Sequence, residues 1–523
     1  MINRRDFLAG LGAGAAVLAL PEFGKAAAAG KPNILFIAVD DLRPELGCYG
    51  RGYIKSPNID RLARRGMTFN RAYCQQAVCS PSRSSLLTGT RPDTTKVWDL
   101  VTHFRTAMPD VVTLGQHFKN NGYFVQGMGK IYHGGYDDKP TWSVPWQVPK
   151  AIRYALPENQ KLDARRNDLV DPDDPTPPDQ KAVAAKEKAA QAQAAKPDDT
   201  TAGKFDTRGP AFEGADVPDD TFQDGKVANL AMSTLRDLSQ KKEPFFLAVG
   251  FIKPHLPFVA PKKYWDLYDP AKIELAPNPF RPKDAPSYSI LPGGELRNYH
   301  GIPKESVQPD LARQLKHGYY AAVSYTDAQV GKVLDELDRL GLRDNTIVVL
   351  WGDHGWKLGE HDAWCKHTNT ENDTNAPLIL SVPGMKNAGA RSDALVEFVD
   401  IYPTLSELAG VPLPGHLEGT SFRPLLDQPA RAWKTAAFSQ YPRNGDGTKL
   451  MGYSMRTDRY RLTVWVERND HSKVHATELY DHQTDPQENT NIAGLPANAA
   501  LVGRLMEQWK LGWKGARPGG ARG

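Results

Sequence analysis

Three short stretches of the chain are strongly apolar and rich in β-branched or aromatic residues. They lie within residues 34–39, 244–251 and 345–355. Runs of this length without polar alternation are typical of strands that are buried on both faces. Amphipathic helical patterns lie between them, over 58–66 and 312–341. Buried strands that alternate with helices predict an α/β fold with a large, mostly parallel sheet flanked by helices.

The pattern changes after about residue 436, where shorter strands replace the long buried runs. Residues 452–467 and 476–486 are typical of such strands, and a last amphipathic helix is predicted near 497–513. We therefore expect a main domain over 30–435 and a smaller C-terminal antiparallel α+β subdomain over 436–523.

One region inside the main domain has a different composition. Residues 160–225 are rich in Asp, Pro, Ala and Lys, and 182–196 could form a solvated helix. Such charge runs are usually solvated faces, so we interpret the segment as a surface insertion.

The N-terminus resembles an export signal. Arg4 and Arg5 precede an apolar run, rich in Gly and Ala, over residues 8–20, and small residues at 26–29 offer a cleavage site. The run is too short and too weakly apolar for a stable membrane span. We predict a twin-arginine signal peptide over 1–29, which makes the export machinery a partner and the protein periplasmic or exported. The alternative is an exposed basic terminus or an N-terminal anchor.

Composition excludes several classes of protein. The excess of Lys and Arg over Asp and Glu is 65 − 61 = 4, which is too small to indicate a nucleic-acid partner, and no basic stripe is interleaved with aromatic residues. Four cysteines in 523 residues do not make a disulfide scaffold. No repeat with a period of 20–50 residues argues for a solenoid or a propeller.

Polar side chains follow each of the three predicted strands. Asp40 and Asp41 follow the first strand, His255 follows the second, and Asp353 and His354 end the third. Ligands of open α/β sheets bind beyond the carboxyl ends of the strands, and crowded carboxylates repel unless a cation or a proton intervenes. These positions therefore indicate a functional site, although each pair taken alone could be a helix cap or a turn.

The most specific motif is the segment CSPSRSSLLTG, which begins at Cys79. Its local structure is predicted as a loop-to-helix junction, with Ser80 as the N-cap and Pro81 at the first helical position. The segment resembles the signature of the type I sulfatases, which belong to the alkaline phosphatase superfamily. The resemblance implies a sulfuric ester hydrolase with the alkaline phosphatase-like fold, whose catalytic domain is the main domain.

The resemblance also implies a modified nucleophile. Cys79 matches the cysteine that is converted to Cα-formylglycine, and Pro81 and Arg83 match the residues that the formylglycine-generating enzyme reads. The aldehyde hydrates to a geminal diol, of which one hydroxyl attacks sulfur and the other helps to expel sulfate. Arg83 would lie beside the diol, where its charge favours the alkoxide.

A metal site is implied in the same way. Asp40, Asp41, Asp353 and His354 would hold one divalent cation together with the modified Cys79. Carboxylate oxygens favour a hard cation, so calcium is expected. Most sulfatases carry Asn where this chain has His354, and a histidine ligand leaves magnesium, manganese or zinc open.

Four further residues occur in short sequence segments that resemble those of the family. Lys130, His255 and Lys366 would bind sulfate oxygens and the leaving oxygen, and His255 or Lys366 would protonate the leaving alcohol. His133 would be the base that removes the second proton of the diol and releases sulfate.

Longer stretches resemble the iduronate-2-sulfatase branch, among them FFLAVGFIKPHLPF, GDHGWKLGEH and WCKHTNTENDTNAPLIL. A sulfate ester of a sugar or uronate is therefore the expected substrate. The alternative is a phosphonate monoester hydrolase or phosphodiesterase that uses the same formylglycine site. A non-catalytic sugar-binding relative would lack the Cys79 segment or the carboxylates, and the spacing of Cys74 and Cys79 matches no common redox or metal-storage motif.

Overall fold

The computed structural model describes residues 31–163, 208–291, 294–303, 305–445 and 447–519. The predicted signal peptide and the predicted helix over 182–196 lie outside the described residues. No helix within the described ranges is both long and apolar enough to cross a membrane.

The strands of the described part of the chain are numbered in chain order. They are β1 (Asn33–Val39), β2 (Met67–Phe69), β3 (Ala72–Tyr73), β4 (Phe124–Gly129), β5 (Arg208–Pro210), β6 (Phe212–Ala215), β7 (Phe245–Phe251), β8 (Phe258–Pro261), β9 (Tyr299–His300), β10 (Thr346–Gly352), β11 (Leu378–Ser381), β12 (Arg391–Ser392), β13 (Val396–Glu397), β14 (Ala437–Gly445), β15 (Thr448–Arg456), β16 (Tyr460–Glu467) and β17 (Asp470–Asp481).

The α-helices are numbered in the same way. They are α1 (Pro57–Arg65), α2 (Cys79–Thr88), α3 (Pro92–Thr95), α4 (Leu114–Asn120), α5 (Pro157–Asp163), α6 (Gln223–Leu238), α7 (Lys262–Trp265), α8 (Pro309–Arg339), α9 (Glu371–Thr374), α10 (Ile401–Leu408), α11 (Arg423–Asp427) and α12 (Ala499–Gly515).

The main sheet has seven strands in the order β12-β2-β11-β10-β1-β7-β4. Strands β10, β1, β7 and β4 run parallel, whereas β11 is antiparallel to both of its neighbours. The predicted α/β fold with a mostly parallel sheet is therefore confirmed. Every residue of β1, β7 and β10 is buried, as their uninterrupted apolar runs predict.

Alternate residues of β1 supply two separate hydrophobic cores, one on each face of the sheet. Leu35, Ile37 and Val39 pack with helices α1, α6 and α8. Ile34 and Phe36 pack on the other face with helices α2, α4 and α10. Because successive side chains of a strand point to opposite faces, one short strand is covered by helices on both sides.

The C-terminal sheet is antiparallel, with the strand order β14-β15-β16-β17. The long helix α12 packs Leu505 and Trp509 among its apolar side chains, so the predicted antiparallel sheet and final helix are both present. Strand β14 was not predicted because Pro442 interrupts its pattern. As an edge strand, β14 tolerates a proline where no partner strand needs its N–H. The division of the chain at residues 435 and 436 stays a prediction.

A largely buried group of charges joins the C-terminal sheet to helix α9, which lies between β10 and β11 in the chain. The guanidinium of Arg461, on β16, lies 2.5 Å from Glu371 Oε2 and 2.6 Å from Glu488 Oε1. The backbone N–H of Glu371 also donates to Glu488 Oε2 at 2.8 Å. Each carboxylate is therefore paired with a cation or a donor, as buried charges require.

Acid should weaken this attachment through Glu371. Burial alone raises the pKa of Glu371, but the guanidinium groups of Arg461 and Arg456 lower this pKa to about 2 from the ordinary value of 4.5. The ionised carboxylate therefore stabilises the fold above about pH 4.5, and this contribution is lost as the pH falls toward 2. We expect it to be roughly 3 kcal/mol of the free energy of unfolding at pH 6.

The variant Glu371→Gln should lack this pH dependence. Between pH 6 and pH 3, urea unfolding should show that the parent protein loses about 2 kcal/mol more of its unfolding free energy than the variant does. Glu158→Gln, at an exposed position, is the matched control and should behave as the parent. The same pH dependence in all three proteins would contradict the assignment.

Candidate active site

The ends of neighbouring strands bring the predicted carboxylates together. Val39, the last residue of β1, pairs with Gly352, the last residue of β10, so the residues that follow both strands leave the sheet at one edge. The N–H of Asp41 donates to Asp353 Oδ1 at 3.1 Å, and the N–H of His354 donates to the same oxygen at 3.0 Å. Asp40, Asp41, Asp353 and His354 are all completely buried.

Helix α2 places Cys79 at this edge. The helix begins at Cys79 itself, and the N–H of Ser82 donates to Val78 O at 3.1 Å to close its first turn. The prediction of Ser80 as the N-cap is therefore wrong, since Ser80 and Pro81 are the second and third helical residues. Proline is tolerated there because the first turn leaves its N–H groups without helical partners.

The thiol of Cys79 faces charged groups from three elements. Its Sγ lies 3.4 Å from Asp40 Oδ1 and 3.3 Å from His354 Nε2. It lies 3.8 Å from Nζ of Lys130, which directly follows β4. Burial, together with the negative charge of Asp40, raises the pKa of the Cys79 thiol well above its ordinary value. An unmodified Cys79 is therefore a poor nucleophile, because the thiolate is the reactive form.

Arg83 lies one helical turn beyond Cys79 and on the same face of α2. Its Nε donates to Asp353 Oδ2 at 2.9 Å and its Nη2 donates to Asp40 Oδ1 at 3.1 Å. Its Nη1 donates to the carbonyl oxygens of Lys130 and Ile131. This buried guanidinium thus joins the ends of β1 and β10 to the loop after β4.

Two cations surround Asp40. Lys130 Nζ lies 2.5 Å from Asp40 Oδ2, and Arg83 binds the other carboxylate oxygen. Burial alone raises the pKa of Asp40, but these two positive charges hold its pKa well below the ordinary value. Asp40 is therefore a carboxylate in the folded protein.

Asp41 lies in a more negative environment. Lys366 Nζ lies 3.1 Å from Asp41 Oδ1, and His255 Nε2 lies 3.9 Å from Asp41 Oδ2. Burial raises the pKa of Asp41 well above its ordinary value; the charge of Lys366 opposes this shift, and the charges of Asp40 and Glu295 add to it. This crowding of carboxylates is the electrostatic condition that a bound cation relieves.

Glu295 is a site residue that sequence reasoning missed. Its Oε2 accepts a hydrogen bond from Lys366 Nζ at 2.8 Å, and its Oε1 lies 3.5 Å from His255 Nε2. It follows Gly294 in a short 3₁₀ turn, with no strand end and no motif beside it. No sequence pattern predicts that Glu295 lies in the site, because its contacts with Lys366 and His255 depend on how loops that are distant in the chain pack together.

His133 lies in the loop after β4, three residues beyond Lys130. Its side chain is buried, and its ring stacks on Tyr136 with the ring centroids 6.1 Å apart. The assignment of His133 as a base therefore stays a prediction.

The donor set fits a divalent cation. Ligand atoms of Asp40, Cys79, Asp353 and His354 all lie within 4.8 Å of one another, and so do those of Asp40, Asp41, Cys79 and His255. Nδ1 of His354 lies 2.9 Å from Gly355 O, which leaves Nε2 facing Asp41 Oδ1 at 3.4 Å. Burial lowers the pKa of His354, which favours the neutral imidazole that binds metals.

The cysteines of the described part of the chain are all free thiols. None of Cys48, Cys74, Cys79 and Cys365, which are all described residues, forms a disulfide. Burial also raises the pKa of the Cys74 thiol well above its ordinary value, which disfavours a redox or metal-storage role for Cys74 with Cys79.

Comparison with known proteins gives matches over nearly the whole chain. A family model described as Sulfatase matches residues 32–411. A model described as N-sulphoglucosamine sulphohydrolase, C-terminal, matches residues 359–511. The model of the twin-arginine translocation pathway signal sequence matches residues 1–21.

Individual relatives agree with these matches. Iduronate 2-sulfatase of Mus musculus is 35% identical over 548 residues, which cover 90% of this chain and 93% of the relative. A phosphonate monoester hydrolase from Silicibacter pomeroyi superposes with a TM-score of 0.67 at 23% identity, covering 92% of this chain and 94% of that chain. A protein solved in complex with its substrate D-glucosamine-2-N,6-O-disulfate has a TM-score of 0.65 at 21% identity, covering 92% and 99%. The two structural likenesses support the fold.

Proposed function

From the premise that this chain belongs to the sulfatase family and is a sulfuric ester hydrolase, we propose that it cleaves a sulfate ester of a sugar or uronate at a centre built around Cys79. The resemblance that the Cys79 segment indicates is confirmed by the family match. The signal match at residues 1–21 makes the protein periplasmic or exported. The substrate class is supported by the 35% identity to an iduronate 2-sulfatase.

One observation carries the proposal. The side chain at position 79 lies within 3.8 Å of a carboxylate, an imidazole and an ammonium group, all of them buried. Charged groups fixed in a buried site act more strongly on a transition state than they would in water. A nucleophile at this position would therefore lie among groups that can stabilise the charge of a sulfuryl group.

The nucleophile is the formylglycine that the family implies. Its hydrated aldehyde supplies the attacking hydroxyl and a second hydroxyl whose proton is lost when sulfate leaves. Because Cys79 is completely buried in the folded protein, we infer that a formylglycine-generating enzyme acts before the chain folds. Twin-arginine export, which carries folded proteins, is consistent with this order of events.

The cation would be held by the four residues that follow β1 and β10, together with the modified Cys79. Asp40, Asp41, Asp353 and His354 would bind it, and three carboxylates in a set of four favour calcium over softer metals. When bound, such a cation acts as a Lewis acid and neutralises part of the negative charge on the sulfate oxygens.

The remaining side chains bind the ester and move protons. Lys130, Lys366 and His255 surround the space beside Cys79 and would bind sulfate oxygens. His255 or Lys366 would protonate the leaving alcohol oxygen, and His133 would take up the proton that is released with sulfate. Arg83 keeps Asp40 and Asp353 in place through its buried hydrogen bonds.

Comparing two ester classes tests the function. We expect kcat/KM for p-nitrophenyl sulfate to exceed that for a p-nitrophenyl phenylphosphonate by at least about 100-fold. The two esters carry the same charge and pass through similar transition states. A preference of this size therefore requires a site that fits the three oxygens of a sulfuryl group and not the phenyl group that replaces one of them in the phosphonate. A preference for the phosphonate would support the phosphonate monoester hydrolase alternative instead.

A further inference from the structure

A second cleft, with a volume of about 800 Å³, lies apart from the residues proposed for catalysis. It is lined by residues of the segment 43–55, of the loop over 267–278 and of α8, and by residues of the segments 360–375 and 486–487. None of the ten side chains proposed for catalysis or metal binding lines it. A volume of this size is typical of sites for small organic ligands.

Lys316, on α8, is the unusual residue of this cleft. Only 6% of it is exposed, although it lines the cavity. Within the described residues its ammonium has no hydrogen bond and no ion pair, and its Nζ lies 5.9 Å from the centroid of the Tyr320 ring. A buried cation without a partner destabilises a fold, and a methionine would fill the space at least as well. Its charge is therefore suited to a ligand.

Among the described residues, no carboxylate of the cleft lies within ion-pair distance of Lys316, and two of the nearest ones pair with Arg43. Arg43 Nη2 lies 2.9 Å from Glu360 Oε1 and 3.5 Å from Glu45 Oε1. These three groups and Glu274 are the charged groups that act on Lys316. Two further cations of the cleft, Arg51 and Lys55, lie at exposed positions. Asp269, Glu274 and Glu371 also line the cleft. Asp269 pairs with Lys272, and Glu371 pairs with Arg456 and Arg461. Among the described residues of the lining, the cations without an ion pair, Lys316, Arg51 and Lys55, outnumber the one such carboxylate, Glu274, which favours an anion.

Three tyrosine rings also line the cleft. Tyr53 is 47% exposed, and its ring packs on Tyr320 with the centroids 5.7 Å apart. The ring of Tyr268 also packs on Tyr320, with the centroids 5.6 Å apart. The Tyr53 hydroxyl donates to Glu45 Oε1 at 3.0 Å. This bond and the contact with Tyr320 fix the ring, and its exposed part suits stacking against the flat, apolar face of a sugar.

We propose that this cleft is a second binding site for an anionic saccharide, whose carboxylate or sulfate group pairs with Lys316 and whose sugar ring stacks on Tyr53. The choice of a saccharide, rather than another organic anion, rests on the proposed function. The binding itself requires no turnover at Cys79.

Calorimetric titration of the full-length Cys79→Ala protein tests the site without consuming the ligand. The probes are a heparin-derived tetrasaccharide, a hyaluronan tetrasaccharide and inorganic sulfate, which distinguish a sulfated sugar, a carboxylate sugar and a free anion. We expect Lys316→Met to weaken binding of the heparin tetrasaccharide roughly 20-fold. The double variant Arg51→Gln, Lys55→Gln changes exposed positions only, so it tests the cleft even if Lys316→Met does not fold. Lys386→Gln, an exposed lysine outside the cleft, is the matched control.

The outcomes separate this site from the catalytic one. Weaker binding in both cleft variants and unchanged binding in the control supports the site, and the hyaluronan probe then shows whether a carboxylate suffices. Equal affinity in all variants, or binding of inorganic sulfate as tight as that of the tetrasaccharide, would overturn it. When Lys316→Met is made in the protein that keeps Cys79, its turnover of p-nitrophenyl sulfate should stay within about twofold of that of the parent. A parent enzyme with no such turnover would refute the proposed function and leave the binding result standing.

Discussion

Cys79→Ala should lower kcat for a sulfate ester by at least about 10⁴-fold, because it removes the only side chain that the proposed mechanism uses as a nucleophile. Lys130, His354 and Asp40, which surround Sγ at 3.3–3.8 Å, remain in place. Losing a small buried side chain should change the free energy of unfolding by about 1 kcal/mol. Kinetic assay and thermal unfolding of the same preparations check the two expectations.

Cys74→Ala is the matched control for this experiment. Cys74 is a second fully buried cysteine whose Sγ lies 3.8 Å from the carbonyl oxygen of Asp373. We expect this variant to keep its activity, since Cys74 takes no part in the site. The mass of the peptide around position 79 should also show a thiol replaced by an aldehyde in the active enzyme. Full activity of Cys79→Ala, or an active parent enzyme whose Cys79 is wholly unmodified, would refute the assignment.

Asp40→Asn should lower kcat by about 10³-fold or more and also reduce the divalent metal that copurifies with the protein. Asparagine keeps the shape of the side chain but removes the charge that pairs with Lys130 at 2.5 Å and Arg83 at 3.1 Å. Two buried cations then lack one of their counterions, and the metal site loses one of its carboxylates. Elemental analysis should find about one calcium ion per chain in the parent protein and much less in the variant.

Asp327→Asn is the control for the loss of a buried carboxylate. Burial raises the pKa of Asp327 to about 6, and its carboxylate accepts hydrogen bonds from the backbone of Asn58 and Ile59 at the start of α1. This variant should lose stability but keep its metal content. Undiminished metal in Asp40→Asn would contradict the ligand set, whereas a different metal in the parent protein would contradict only the choice of calcium.

Sequence patterns predicted the central elements within a few residues. The apolar runs over 34–39 and 244–251 became β1 and β7, and the amphipathic pattern over 312–341 became α8. These elements could be predicted because burial constrains the sequence locally. A strand buried on both faces is apolar throughout, and a helix buried on one face has apolar residues at helical spacing. The start of α2 was predicted wrongly and the edge strand β14 was not predicted, since a single serine or proline does not reveal which backbone groups have hydrogen-bond partners.

The amino-acid sequence by itself determined the α/β class, the export signal, the sulfatase motif at Cys79 and the carboxylates at two strand ends, because each is written in adjacent residues. Only the tertiary structure decided that Asp41 and Asp353, 312 positions apart, share a hydrogen bond. It also decided that Glu295 lies against Lys366, and that Lys316 lines a second cleft without a counterion. Electrostatic energy depends on distance through the folded molecule, and separation along the chain says little about that distance.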